Sequence, residues 1–155
     1  MTGPVLQPLV IGVGNRYRTD DGVGPFVADR LAERGVAARE ASGEGASLIG
    51  LWEGVDAAIV VDAMASRAAP GSIRRFEGAT AEIPAGTFAY SSHLFGVAEA
   101  VALARELGRL PPRLVLYGIE GESFAAGEAL SPPVRAAAEE VVARILTDLA
   151  AWQAG

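Results

Sequence analysis

Leu9-Val10-Ile11-Gly12-Val13 runs directly into Gly14-Asn15-Arg16-Tyr17-Arg18-Thr19-Asp20-Asp21-Gly22-Val23-Gly24. The first five residues form a continuous apolar run of strand length, the pattern of a strand covered on both faces. From Val23 the period changes. Val23, Phe26, Val27 and Leu31 recur at helical spacing, with Asp29, Arg30, Glu33 and Arg34 facing outward, and Gly35 ends the pattern. A buried strand, a glycine-bounded turn and an amphipathic helix make an α/β unit, and ligands of such folds bind beyond the carboxyl ends of the strands. Two adjacent carboxylates, Asp20 and Asp21, sit on that turn. A core segment has no use for them there, so the turn is read as part of a site.

Outward from this join, strand and helix patterns keep alternating. Residues 36–40 read as a weak strand, Ser42-Gly43-Glu44-Gly45 as a loop and 46–52 as a short helix. Ala57-Ala58-Ile59-Val60-Val61 is a second buried strand, read as ending at Asp62. Pro70-Gly71 marks a turn, 72–76 reads as an edge strand, and 77–92 is a long Gly/Pro-punctuated loop of the kind that carries function. A helix is expected to open at Ser91-Ser92-His93 with a serine cap, to bury Leu94, Val97, Ala98, Val101 and Ala104, and to stop at Gly108. Residues 114–119 form a third buried strand. Ser131-Pro132 starts the last helix, whose buried stripe is Val134, Ala138, Val141, Val142, Ile145 and Leu149. The expected fold is a single α/β domain over 1–155: three α/β/α layers around a mostly parallel twisted sheet.

Composition narrows the chemistry. With 155 residues, half of them hydrophobic and 21% charged, the chain can bury a core without staples. A net charge of −6, with basic residues scattered, argues against nucleic acid or an anionic membrane as partner. Zero cysteines exclude disulfides, thiol catalysis and thiolate metal sites. The single histidine, His93, excludes a two-histidine metalloprotease helix. No apolar run reaches membrane-span length, and the start lacks the pattern of a signal peptide, so the expected location is the cytoplasm. No helix shows an excess apolar face, and a monomer is expected.

Three positions stand at element boundaries: Asp21 between strand and helix, Asp62 at the end of the second strong strand, and His93 at the start of a helix. Two carboxylates and an imidazole suit a borderline divalent cation such as nickel or zinc, and three ligands leave coordination positions open. A helix N-terminus favours neutral imidazole, the ligating form. Each position also has a plain structural reading. Asp20 and Asp21 can serve the helix dipole, Asp62 can cap a turn at 64–66, and His93 can be a surface or core histidine. Glu120 and Glu122 can line the same rim or be solvated loop charges. Arg16 and Arg18 can bind a carboxylate or phosphate, or be solvated too. Trp52 and Trp152 read as packing residues. Gly12-Val13-Gly14 hints at a dinucleotide fold, but Tyr17 occupies the place of the third glycine, and the acidic pair would repel a pyrophosphate.

Taken in order, Gly12-Val13-Gly14-Asn15, Asp20-Asp21-Gly22-Val23-Gly24, Val60-Val61-Asp62-Ala63, Ser91-Ser92-His93-Leu94-Phe95-Gly96 and Leu116-Tyr117-Gly118-Ile119-Glu120 resemble the endopeptidases that mature nickel-iron hydrogenase large subunits. The resemblance spans nearly the whole chain. It implies a cytoplasmic, aspartyl-type protease that removes the C-terminal extension of the large-subunit precursor after nickel insertion. It also implies that Asp21, Asp62 and His93 are the metal-facing and catalytic residues. The nickel is then the substrate's own, with no tightly held cofactor, and Asn15, Gly43 and Gly45 shape the cleft. Ser42-Gly43-Glu44-Gly45 departs from the Asp-Gly-Gly-Thr-like loop of many members. A non-catalytic nickel-sensing or chaperone module on the same fold is the alternative, and a nucleotide-binding domain is the third.

Overall fold

Strand order places the site-bearing turn near one edge of the sheet. Strands β1 (Leu9–Val13), β2 (Ala38–Ala41), β3 (Ala57–Met64), β4 (Ile73–Glu77) and β5 (Arg113–Glu120) are arranged as β2-β1-β3-β5-β4. All neighbours are parallel except β4, which pairs antiparallel with β5 at the far edge. The structure, a computed structural model, describes residues 7–42, 45–78, 80–84, 87–88 and 96–154.

Every residue of β3 is buried, because helices cover both faces of the sheet. Ile59, Val61 and Ala63 face α1 (Val23–Ala32) and α4 (Pro132–Ala154), meeting Val27, Leu31, Val141 and Ile145. Ala58, Val60 and Met64 face α2 (Gly45–Trp52) and α3 (Val97–Glu106), meeting Leu48, Trp52, Val97 and Val101. These are the three expected α/β/α layers. All six residues of the expected α4 stripe are buried. No helix among the described residues is long and apolar enough to cross a membrane.

Two glycines let α1 approach the sheet. A Cβ on Gly24 would lie 2.6 Å from the Val13 nitrogen and 2.6 Å from the Val61 oxygen, and one on Gly12 would lie 2.9 Å from the Ala28 Cβ. Both positions therefore exclude any side chain, and the helix start sits directly over β1 and β3.

Two expected boundaries move. β3 continues past Asp62, since Asp62, Ala63 and Met64 stay paired with Gly118, Ile119 and Glu120. A polar side chain interrupts an apolar run without interrupting a ladder made of backbone groups. α3 begins at Val97 rather than at Ser91-Ser92-His93, and its N-cap is extended Gly96, whose N–H donates to Glu99 Oε1 at 2.9 Å. The expected helix start and Leu94 lie outside the described residues. Gly108, at φ +67°, follows the helix end as expected.

Candidate active site

The acidic pair of the first turn divides into two roles. Asp20 and Asp21 lie in a single 3-10 turn, Thr19–Gly22, that leads into α1. Asp20 is fully buried. Its Oδ2 accepts the N–H groups of Glu122 (2.7 Å) and Ser123 (3.0 Å), its Oδ1 accepts that of Ser131 (2.8 Å), and the Ser131 hydroxyl donates to Oδ2 at 2.8 Å. Burial alone would raise its carboxyl, but the Ser131, Ser123 and Glu122 amides outweigh burial and hold it below the ordinary carboxylate value. Thr19, in the left-handed region at φ +50°, is tied to the same loop through its N–H to Gly127 O (2.8 Å) and its hydroxyl to Ala125 O (2.6 Å). Asp20→Ala would strand three amide donors, and a loss of about 3 kcal/mol is expected on urea unfolding. A loss well under 1 kcal/mol would show that the loop holds without it.

Asp21, only 4% exposed, points its chemistry the other way. Oδ2 accepts the Asn15 N–H at 3.0 Å, and the Arg18 guanidinium stands 3.9 Å off. Burial raises this carboxyl, with the Asn15 amide and the Arg18 charge pulling it back. Asp62, also buried, extends from β3 on the face of Val60 and Met64. Its Oδ1 accepts the Ala63 N–H at 2.8 Å, and its Oδ2 has no hydrogen-bond partner among the described residues. Burial first, and the negative charge of Asp21 second, push the Asp62 carboxyl well above the ordinary value. Asp21 and Asp62 therefore meet electrostatically at one rim of the sheet, as the strand-end argument anticipates, although Asp62 lies inside its strand.

The other sequence candidates resolve differently. Asp62 does not cap the 64–66 turn, because Glu120 does. The Glu120 carboxylate is 3% exposed and accepts the Ser66 N–H (3.0 Å) and hydroxyl (2.6 Å). It is a buried brace rather than a solvated charge, whereas Glu122 is exposed. The signal was present: Glu120 directly follows a buried strand, as Asp62 follows Val61. Arg16 is no free loop cation either. It donates to Asp29 (2.7 and 2.9 Å) and Glu40 (2.9 and 2.7 Å), which keeps its guanidinium firmly protonated and joins α1 to β2. Trp52 is fully buried, and Trp152 packs at the core edge under Arg113.

His93 falls outside the described residues, so its placement is not part of this geometry. The nearest described residues on either side are Phe88 and Gly96. Phe88 bridges antiparallel to Met64, and Phe88 and Val97 share the core of Val60 and Met64. Among the described residues no three His, Cys, Asp or Glu side chains gather closely enough to hold a metal ion.

Beside Asp21 opens a cleft of about 510 Å³ lined by Gly14, Asn15, Arg16, Tyr17, Glu40, Ala41 and Ser42. Asn15 shapes it as expected and also supplies the amide that holds Asp21. Gly43 lies outside the described residues, and Gly45 opens α2. Tyr17 is 66% exposed on the cleft wall. The part played by β2 was hidden in the sequence, because the Arg39-Glu40 pair within it reads as ordinary surface charge and Arg16, the partner of Glu40, is 24 residues away.

Comparison with known proteins converges on one family. The family model HycI, hydrogenase maturation protease, matches residues 28–148. The hydrogenase 2 maturation protease of Escherichia coli (strain K12) is 31% identical over 151 residues, covering 93% of this chain and 91% of the relative. The hydrogenase expression/formation protein HupM of Azotobacter chroococcum is 32% identical over 158 residues, covering 97% and 75%. The solved structure of the hydrogenase maturating endopeptidase HybD from E. coli aligns with a TM-score of 0.77 at 29% identity, covering 93% and 92%. A family model matching most of the chain, relatives spanning nearly all of it and the shared fold agree that the chain belongs to the hydrogenase maturation proteases and is a peptidase.

Proposed function

We propose that this chain is an aspartyl-type endopeptidase that removes the C-terminal extension of a nickel-iron hydrogenase large-subunit precursor after nickel insertion. It recognises the substrate-bound nickel through Asp21, Asp62 and His93, acting as a cytoplasmic monomer. One observation carries the reading: a buried carboxylate oxygen, Asp62 Oδ2, has no donor among the described residues and lies under the negative charge of Asp21. Two such groups raise each other's free energy until a cation arrives. A divalent ion presented by the substrate relieves both at once, and an imidazole from His93 completes a ligand set suited to nickel.

The nickel is cargo of the substrate, so the protein needs an open rim rather than a closed cage. The cleft beside Asp21 supplies room for an extended tail next to that rim. Peptide hydrolysis then requires a water, a base to take its proton and polarisation of the scissile carbonyl. A carboxylate made more basic by burial and a neighbouring negative charge suits the base, and the substrate's nickel suits the polarising role.

The test is the intact mass of nickel-loaded precursor before and after incubation with this protein, beside a nickel-free control. Loss of a C-terminal peptide from the loaded sample alone is the expected result. No mass change in a loaded, correctly partnered precursor would move the assignment to a non-catalytic nickel-binding module.

A further inference from the structure

Two arginines, one residue apart, are held in opposite ways. Arg16 is locked by short hydrogen bonds to two carboxylates. Arg18 makes no side-chain hydrogen bond among the described residues. Its guanidinium stands 3.9 Å from Asp21 Oδ2, and its side chain is 36% exposed. Its backbone is fixed: Arg18 N–H donates to Asn15 O, Arg18 O accepts the Asp21 N–H, and Arg18 bridges to Gly127. The side chain is therefore a tethered charge with a firm base and a loose head.

That charge has one partner. Among the described residues Arg18 is the cation whose charge acts on Asp21, and no cation acts on Asp62. Among the described residues the Asp21–Asp62 pair thus carries one positive charge, on a half-exposed side chain and bonded too weakly to stay when a stronger cation comes. A divalent ion entering between the carboxylates would lie within a few ångströms of the guanidinium. Like charges at that range shift a binding equilibrium by roughly one to three powers of ten.

We propose that Arg18 is a specificity-determining counter-ion: it stands in for the divalent cation at the Asp21–Asp62 pair and must be displaced before nickel binds. The proposal rests on the reading that this pair faces substrate nickel. Free nickel has only its own charge with which to displace the guanidinium. Nickel held in a large protein substrate has, in addition, the binding energy of the tail in the adjoining cleft. Arg18 therefore discriminates against the free ion and admits the delivered one, and the displaced guanidinium becomes available to a carboxylate or carbonyl of the incoming chain.

The experiment is calorimetric titration of the full-length protein with nickel chloride. Wild type, Arg18→Gln, Arg18→Lys and the double variant Arg18→Gln/Asp62→Ala are compared, each checked for folding by thermal melting. Arg18→Gln is expected to bind nickel at least about tenfold more tightly than wild type. Arg18→Lys, which keeps the charge, is expected to stay within about threefold of wild type, and the double variant is expected to lose the gain. Affinity in Arg18→Gln equal to or below wild type, undetectable binding included, overturns the proposal. So does an equal gain in Arg18→Lys, or a gain that survives loss of Asp62. Precursor processing by wild type is followed in parallel by intact mass. Failure there, together with the nickel gain in Arg18→Gln, overturns the processing reading and leaves the counter-ion in place.

Discussion

Asp62→Ala is expected to fold, to withstand urea better than the wild type and to leave the precursor uncut. Most buried polar groups stabilise a protein because their partners are in place. Asp62 is the reverse case, with an oxygen that has no donor among the described residues and a like charge nearby. An unsatisfied buried polar group costs about 1–3 kcal/mol, more when it is charged. Truncation removes that penalty, while the Ala63 N–H left without its acceptor and the small cavity, at about 24 cal/mol per Å³, take back part of the gain. A net increase of about 1 kcal/mol should remain. Processing should fall at least about a hundredfold, the scale of losing a positioned acid–base group. His93→Ala should produce the same loss of processing. Urea midpoints and precursor intact mass report the two halves separately. A destabilised Asp62→Ala would mean that Oδ2 has a partner outside the described residues, and undiminished cleavage would remove Asp62 from the site. Stability exchanged for function at one residue is the usual mark of an active site.

Gly24→Ala should be among the most damaging single-methyl changes in the chain. The new Cβ would sit 2.6 Å from backbone atoms of two central strands, Val13 and Val61, neither of which can rotate away. Relief requires lifting the first turn of α1 from the sheet. That turn directly follows the one that holds Asp21. Overpacking of this kind typically costs 1–3 kcal/mol and occasionally more, and contact with backbone on both sides points to about 3 kcal/mol or more. Gly50→Ala is the matched control. It lies in α2, and its new methyl would meet nothing within 4 Å. Gain of helix propensity should stabilise it by about 1 kcal/mol. Thermal melting of both variants decides the point, and a near-neutral Gly24→Ala would show that α1 is not held to the sheet as closely as described.

The difference between these glycines is invisible in the sequence, since both occur in helix-forming stretches. What was legible followed from periodicity. β1 matches the apolar run residue for residue, and the α4 stripe is the buried face of the helix. That Asp21 and Asp62 meet as buried carboxylates was legible because a carboxylate adjoining a buried strand has no packing role. Glu120 could be read as a rim residue or a solvated charge but not as a brace, because its partner Ser66 is 54 residues away and left no local trace. Asp20 and Asp21 read alike in the chain. Only the loop arriving from residues 121–131 shows that Asp20 is the brace and Asp21 is not. The expected α3 start failed for a related reason: serine is a good cap in any sequence, but the capping glutamate, Glu99, lies three residues after Gly96.

The tie between Asp20 and Ser131 spans 111 positions of chain. A ribosome that has released the first hundred residues has made β1, the acidic turn and most of the cleft wall, yet not the loop that pins the turn. The Asp21 segment can settle only when the last quarter of the chain arrives, since the carbonyls that accept from Thr19 and the amides that donate to Asp20 both come from there. Competence to cut is thus withheld from the nascent protein until synthesis nears its end.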